Sequence, residues 1–137
     1  MLGSFKADKC WAVLVPLCFD LPTGYLRNHP FTIGRHLQCD LVIAELQVSR
    51  KHASISFKTY NRGSEFVIVC HSKNCLFLNQ QRVADSKSRM LNDGDEIWLS
   101  KGREGPRHRP IGFLFRVGDA DTETTLFTKY EGELNLL

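Results

Sequence analysis

The chain has 137 residues, enough for one domain that buries roughly two-thirds of the surface its unfolded chain would expose, and short for two. Its 18 Lys and Arg stand against 15 Asp and Glu, and a formal charge of +3 is mild beside the dense basic excess of a general nucleic-acid binder. No apolar run approaches the ~18 residues of a membrane span, and the opening MLGSFKADK lacks the apolar stretch of a secretory signal.

Short runs rich in Val, Ile, Leu and Phe recur between Gly, Pro, Asn and Asp, the pattern of an all-β sandwich, and no long helical period competes with it. Residues 11–17 (WAVLVPL) alternate well enough for an opening strand, which Pro16 ends or confines to a sheet edge. Residues 21–28, with Pro22 and Gly24, read as a turn. Strands follow at 31–34, 40–43 and 53–57. In the last, Ala53, Ile55 and Phe57 share one face and Ser54 and Ser56 the other, which points to a core on one side only. Residues 60–64 (YNRGS) make a turn, 66–70 (FVIVC) an apolar strand, and 76–78 a brief one before Asn79-Gln80. Asn92-Asp93-Gly94 turns tightly into a strand at 96–99, since Asn and Gly tolerate the positive φ such turns demand. A polar loop, KGREGPRHRP, leads to a final strand at 111–117. Beyond it, Asp121 is placed to cap a helix with Leu126, Tyr130 and Leu134 on one side, although Gly132 weakens it.

The five cysteines, Cys10, Cys18, Cys39, Cys70 and Cys75, are odd in number and lie mostly in apolar runs, where a thiol acts as a small hydrophobe. A reducing compartment, nuclear or cytosolic, is the expectation. The polar chemistry concentrates in three turns that a sandwich can gather at one end. Gly34-Arg35 follows a strand; Gly allows the bend, and the guanidinium is a planar fork suited to phosphate oxygens. Ser49-Arg50-Lys51-His52 sets a hydroxyl beside cations, a source of charge-assisted hydrogen bonds worth about 1.5–3 kcal/mol each where sheltered from water. His71-Ser72-Lys73-Asn74, with Asn79 close behind, offers amides that donate and accept and so can bracket an extended peptide. Singly, each turn reads as well as ordinary solvated turn chemistry.

In chain order the three turns, with the late Asp93-Gly94-Asp95, resemble the forkhead-associated (FHA) domain family. Gly34, Arg35, Ser49, His52, Asn74, Asn79 and Gly94 match its motifs, Leu91 and Ile97 stand as apolar supports, and the resemblance covers roughly residues 11–118. It implies a β-sandwich of about eleven strands whose loops at one end bind phosphothreonine in an extended peptide, with no catalysis, no cofactor and no metal. Carried over position by position, Arg35 reaches the phosphate or the peptide backbone beside it, Ser49 gives its hydroxyl to a phosphate oxygen, and Arg50 adds a second phosphate contact. Asn74 holds the peptide main chain beyond the phosphothreonine, and Lys73 either adds a cation there or turns outward. Gly34, His52 and Asn79 support the scaffold, while Glu45, Leu46 and Gln47 line the place of the residue three positions on. Two departures stand out: the family pattern has glycine where this chain has Cys75 and Gln80.

The resemblance further implies a module that recruits phosphorylated partners in cell-cycle or DNA-damage signalling, in the nucleus or alternatively the cytoplasm. The order is similar to an N-terminal FHA domain of a DNA-damage checkpoint kinase: tail 1–10, domain 11–118, extension 119–137, with any kinase domain elsewhere in a longer parent. The apolar end at Leu136-Leu137 reads as an internal boundary. A phosphothreonine in the same parent would give phosphorylation-dependent self-association.

Two other classes compete. A nucleic-acid-binding β domain would use Lys101, Arg103, Arg107, His108 and Arg109, but this loop lacks aromatic neighbours for stacking. A cysteine hydrolase would use Cys39 or Cys75 with His52 or His71, yet nothing marks an oriented pair. Zinc is disfavoured because neither Cys-x-x-Cys nor His-x-x-x-His occurs.

Overall fold

A computed structural model describes residues 10–61, 63–103 and 108–118. Outside the described residues lie 1–9 of the tail, Arg62 of the YNRGS turn, 104–107 of the polar loop with Arg107, and the 119–137 extension with its expected helix.

The described residues form eleven strands and no helix. They are β1 (Ala12–Pro16), β2 (Gly24–Leu26), β3 (Phe31–Gly34), β4 (Leu41–Val42), β5 (Ala53–Tyr60), β6 (Gly63–Cys70), β7 (Leu76–Leu78), β8 (Gln81–Val83), β9 (Ser88–Leu91), β10 (Glu96–Lys101) and β11 (Pro110–Val117). One sheet runs β2-β1-β11-β10-β7-β8 and the other β4-β3-β5-β6-β9. Neighbours pair antiparallel except β3 and β4, which are parallel, with Ile33 opposite Leu41. Alternate side chains from both sheets meet in one core: Leu14, Ile33, Ile55, Ile68, Leu76, Ile97, Phe113 and Phe115 are all buried. Leu91 and Ile97, the two apolar supports, lie in this core.

Three strands and one side chain depart from expectation. The turn expected at 21–28 contains β2, which pairs with β1 and buries Leu26; its short polar-flanked sequence gains strand character from the sheet edge it completes. β8 and β9 have one interior-facing apolar residue each, Val83 and Leu91, too little for a periodic signal, and their pairing with β7 and β6 supplies the rest. Ser54, expected on the open face of β5, is 7% exposed because its hydroxyl is covered by His71, 2.8 Å from Nε2. Pro16 ends β1 opposite Phe113, and the Asn92-Asp93-Gly94 turn closes with the Asp95 N–H on the Asn92 carbonyl at 3.0 Å.

Strand direction decides what gathers where. β3 ends, β5 begins, β6 ends and β7 begins at the same end of the sandwich, so the 35–40, 43–52 and 71–75 connections meet there. The opposite end is filled by rings. Trp11 stacks on Phe66 with centroids 5.9 Å apart, Phe57 lies 4.8 Å from Trp11, and Phe66 meets Phe115 edge-on at 5.5 Å.

Candidate functional site

Gly34 is where the first two connections touch. A Cβ there would project onto the Arg50 carbonyl, so only glycine lets β3 run against the second loop. The contact is sealed by backbone: the Arg35 N–H donates to the Ser49 carbonyl at 3.0 Å and the His36 N–H to the Arg50 carbonyl at 3.1 Å. The Arg35 side chain is oriented as well, its Nε–H donating to the Val48 carbonyl at 3.0 Å. That bond occupies the back of the fork and leaves the two terminal amino groups open.

His52 is fully buried beneath these loops. The Ser49 N–H donates to Nδ1 at 3.1 Å, so the ring proton sits on Nε2, which donates to the Cys75 carbonyl at 2.7 Å. One imidazole thereby ties the second loop to the third. Burial pushes its pKa below the ordinary histidine value, with the Cys75 carbonyl opposing, and the neutral ring suits a group with one donated and one accepted bond.

Ser72, one residue of the third polar turn with no role of its own in the sequence, acquires one from its neighbours. Its hydroxyl lies 2.6 Å from that of Ser49 and accepts the Asn74 N–H at 3.0 Å. At 1% exposure the Ser72 proton needs a protein acceptor, and the Ser49 oxygen is the one at hand. The order is then Asn74 N–H to Ser72 Oγ, and Ser72 O–H to Ser49 Oγ, which frees the Ser49 proton to point outward. The signal available beforehand was a serine two residues ahead of an asparagine, a common side-chain cap of a turn.

Asn74 is exposed and leans across the second loop, one amide hydrogen on the Gln47 carbonyl at 3.1 Å, leaving its carbonyl oxygen and second hydrogen open. Arg50, Lys51 and Lys73 are exposed, and none makes an ion pair among the described residues. Asn79 is not brought to this cluster. It sits at the far end of β7, where its amide donates to Asp95 Oδ1 and accepts the Glu96 N–H, both at 2.9 Å. Cys75 and Asn79-Gln80 carry φ of 57°, 49° and 72°, so both positions at which the family pattern has glycine keep a left-handed backbone without it.

The 43–49 segment is braced from the other sheet. Arg109 donates to Glu45 at 2.8 Å and to the Phe19 carbonyl at 2.7 Å, while Gln47 reaches the Arg109 carbonyl at 3.3 Å and Leu46 is 89% exposed. Arg109 thus braces loops, and Lys101 lies over the Phe77 ring at 4.0 Å, so two cations of the alternative nucleic-acid loop already have protein partners. Nucleophilic chemistry finds no footing either. Both nitrogens of His52 are occupied, Cys75 is buried, and burial pushes the Cys39 thiol above its ordinary pKa while its S–H donates to the Arg50 carbonyl at 3.2 Å. Among the described residues no group of three or more His, Cys, Asp or Glu could hold a metal ion.

Comparison with known proteins agrees with this geometry. The chain is 33% identical over 93 residues to the serine/threonine-protein kinase cds1 of Schizosaccharomyces pombe, covering 65% of this chain and 19% of the kinase, so it spans under a fifth of that relative's length. The solved FHA2 domain of Saccharomyces cerevisiae Rad53, in complex with a phosphotyrosyl peptide from Rad9, superposes with a TM-score of 0.71 at 23% identity over 82% of this chain and 80% of that one. The yeast Dun1 FHA domain, solved with a doubly phosphorylated peptide from Rad53, gives 0.62 at 25% identity over 78% and 74%. The family model for the FHA domain matches residues 31–100, from the start of β3 into β10, and the chain belongs to the FHA domain family.

Proposed function

We propose that this domain binds phosphothreonine in an extended segment of a partner protein, with Arg35, Ser49, Arg50, Lys73 and Asn74 on the ligand and Gly34 and His52 beneath them. The observation that carries the reading is the hydrogen-bonded chain Asn74–Ser72–Ser49 beside the open fork of Arg35; with the buried Ser72 as donor, the Ser49 proton is left for a ligand. A phosphothreonine carries about −1.5 to −2 charge and three acceptor oxygens, and the site offers the donors and cations that match it. Asn74, with its free carbonyl and amide hydrogen, pairs with the peptide main chain on the C-terminal side and sets direction. Asn79, at the other end, supports the turn at Asp95 and has no part in the ligand. Relatives solved with phosphopeptides support the reading.

The domain catalyses nothing. It recruits, and we place it in residues 11–118 of a longer chain, with 1–10 and 119–137 as flanking segments. The match to a protein kinase over under a fifth of that kinase's length supports a parent in which recognition and catalysis are separate domains. Checkpoint or cell-cycle signalling in the nucleus is the setting we propose; among the described residues no helix is long and apolar enough to cross a membrane.

Fluorescence anisotropy with a labelled phosphothreonine peptide tests the site. Binding in the micromolar range, about −8 kcal/mol, is expected, and loss of the phosphate abolishes it. Arg35→Ala weakens binding about 100-fold and, through the lost bond to the Val48 carbonyl, lowers stability by only about 1 kcal/mol. Equal affinity in this variant sinks the assignment.

A further inference from the structure

Beside the candidate phosphate site, sharing Arg50 with it and none of the residues of the cavity that Asn74 lines, lies a cleft of about 330 Å³ lined by Thr32, His36, Gln38, Cys39, Arg50 and Lys51. Its character is set by cations and donors. Lys51 and Arg50 are exposed and make no ion pair among the described residues. The Gln38 N–H donates to His36 Nδ1 at 3.0 Å, which puts the proton of the neutral His36 ring on Nε2, the nitrogen left free of that loop. The one acid at its border, Asp40, has its carboxylate occupied by Asn28 Nδ2 at 2.6 Å, the Thr32 N–H at 2.8 Å and the Thr32 hydroxyl at 3.1 Å. Lys51 also acts on the neighbouring His71, whose pKa is lowered by burial first and by Lys51 second, with Asp85 opposing. Neutral donors thus hold the Asp40 oxygens at the border, while Arg50 and Lys51 set two open positive charges against that one.

We propose that this cleft is a second anion subsite, which takes a negatively charged side chain N-terminal to the phosphothreonine, so that the preferred ligand is doubly anionic. The inference rests on the phosphothreonine reading above, because that reading fixes peptide direction: with Asn74 on the C-terminal side, Arg50 and the cleft beyond it face the residues that precede. An extended peptide advances about 3.3 Å per residue, which brings a side chain roughly two to four residues before the phosphothreonine over His36 and Lys51. Arg50 lines both sites and couples them. A phosphate, with more charge and more acceptor oxygens than a carboxylate, gains the more from three donors.

The test titrates three peptides of one backbone against the full chain. Each contains the phosphothreonine; the preceding positions hold alanine in the first, aspartate in the second and phosphoserine in the third. Wild type is expected to bind the phosphoserine peptide about tenfold tighter than the alanine peptide, with aspartate between them. Lys51→Ala with His36→Ala reduces that ratio to near unity while affinity for the alanine peptide holds, since neither side chain belongs to the phosphothreonine site. Equal affinity of wild type for all three peptides overturns the second subsite and leaves the first standing. A preference that survives the double substitution overturns its assignment to this cleft. No affinity for any of the three overturns the phosphothreonine reading, and the subsite with it.

Discussion

The two ends of the sandwich solve the same problem in opposite ways. At one end Trp11, Phe57 and Phe66 close the space between the sheets with rings, and Phe115 continues that packing into the core. At the other, three polar connections are fastened to one another by hydrogen bonds through Arg35, His36, His52, Ser72 and Asn74. Packing without direction suffices where nothing has to be recognised. Directed bonds are needed where donors must stay aimed at a solute, because each occupied donor fixes where the free ones point.

That contrast can be broken from either side. The largest effect belongs to the aromatic end: Phe115→Ala, at a fully buried ring, costs about 3–5 kcal/mol in urea unfolding, yet the folded fraction binds phosphopeptide with wild-type affinity. A change in affinity of the folded fraction would mean that the two ends are coupled. Ser72→Ala has the reverse signature. It removes the hydroxyl that orients Ser49 and leaves the Asn74 N–H without its acceptor, so affinity falls about tenfold, or ~1.4 kcal/mol, while stability falls by about 1 kcal/mol. Unchanged binding would refute the hydroxyl chain.

A pH series separates the ends further. His52 has a folded pKa below its ordinary 6.5, chiefly through burial, so the unfolded chain takes up the proton first. Its contribution is complete above that value and declines as pH falls through 6.5 toward the folded pKa. Urea midpoints of wild type are therefore lower at pH 5 than at pH 7.5, and His52→Gln shows a shallower slope from a lower starting stability. The exposed His71, lowered in the same direction, adds a smaller decline that His71→Gln isolates. An identical slope in His52→Gln would place the titration elsewhere.

The smallest effect lies in the turn between β7 and β8. Gln80 is exposed with φ of 72°, so Gln80→Gly relieves a left-handed side chain at no loss of burial and stabilises by about 0.5–1 kcal/mol, net of the entropy that glycine loses. Peptide affinity is unchanged. A lower melting temperature would show that the glutamine side chain contributes more than its strain removes.

Legibility in the sequence followed the strength of local signals. Long apolar runs such as FVIVC and the terminal IGFLFRV became β6 and β11, and the Asn-Asp-Gly turn formed where it was expected. β2, β8 and β9 were invisible because their strand character comes from the edge that a neighbour leaves open, which no window of three or four residues contains. The same holds within the candidate site. Arg35, Ser49 and Asn74 belong to motifs whose residue types announce their chemistry, whereas Ser72 is an ordinary turn serine until Ser49 lies 2.6 Å away.

By itself the sequence determined the all-β class, the family through its ordered turns, and the residue types that suit an anion, since each of these depends on neighbours along the chain. Only the tertiary structure decided that Asn74 and Asn79, five positions apart, lie at opposite ends, that Arg109 braces Glu45, and that the Ser72 hydroxyl lies against that of Ser49. Strand reversal separates or unites residues irrespective of their spacing, and the direction of a hydroxyl is set by whichever acceptor the packing brings within reach.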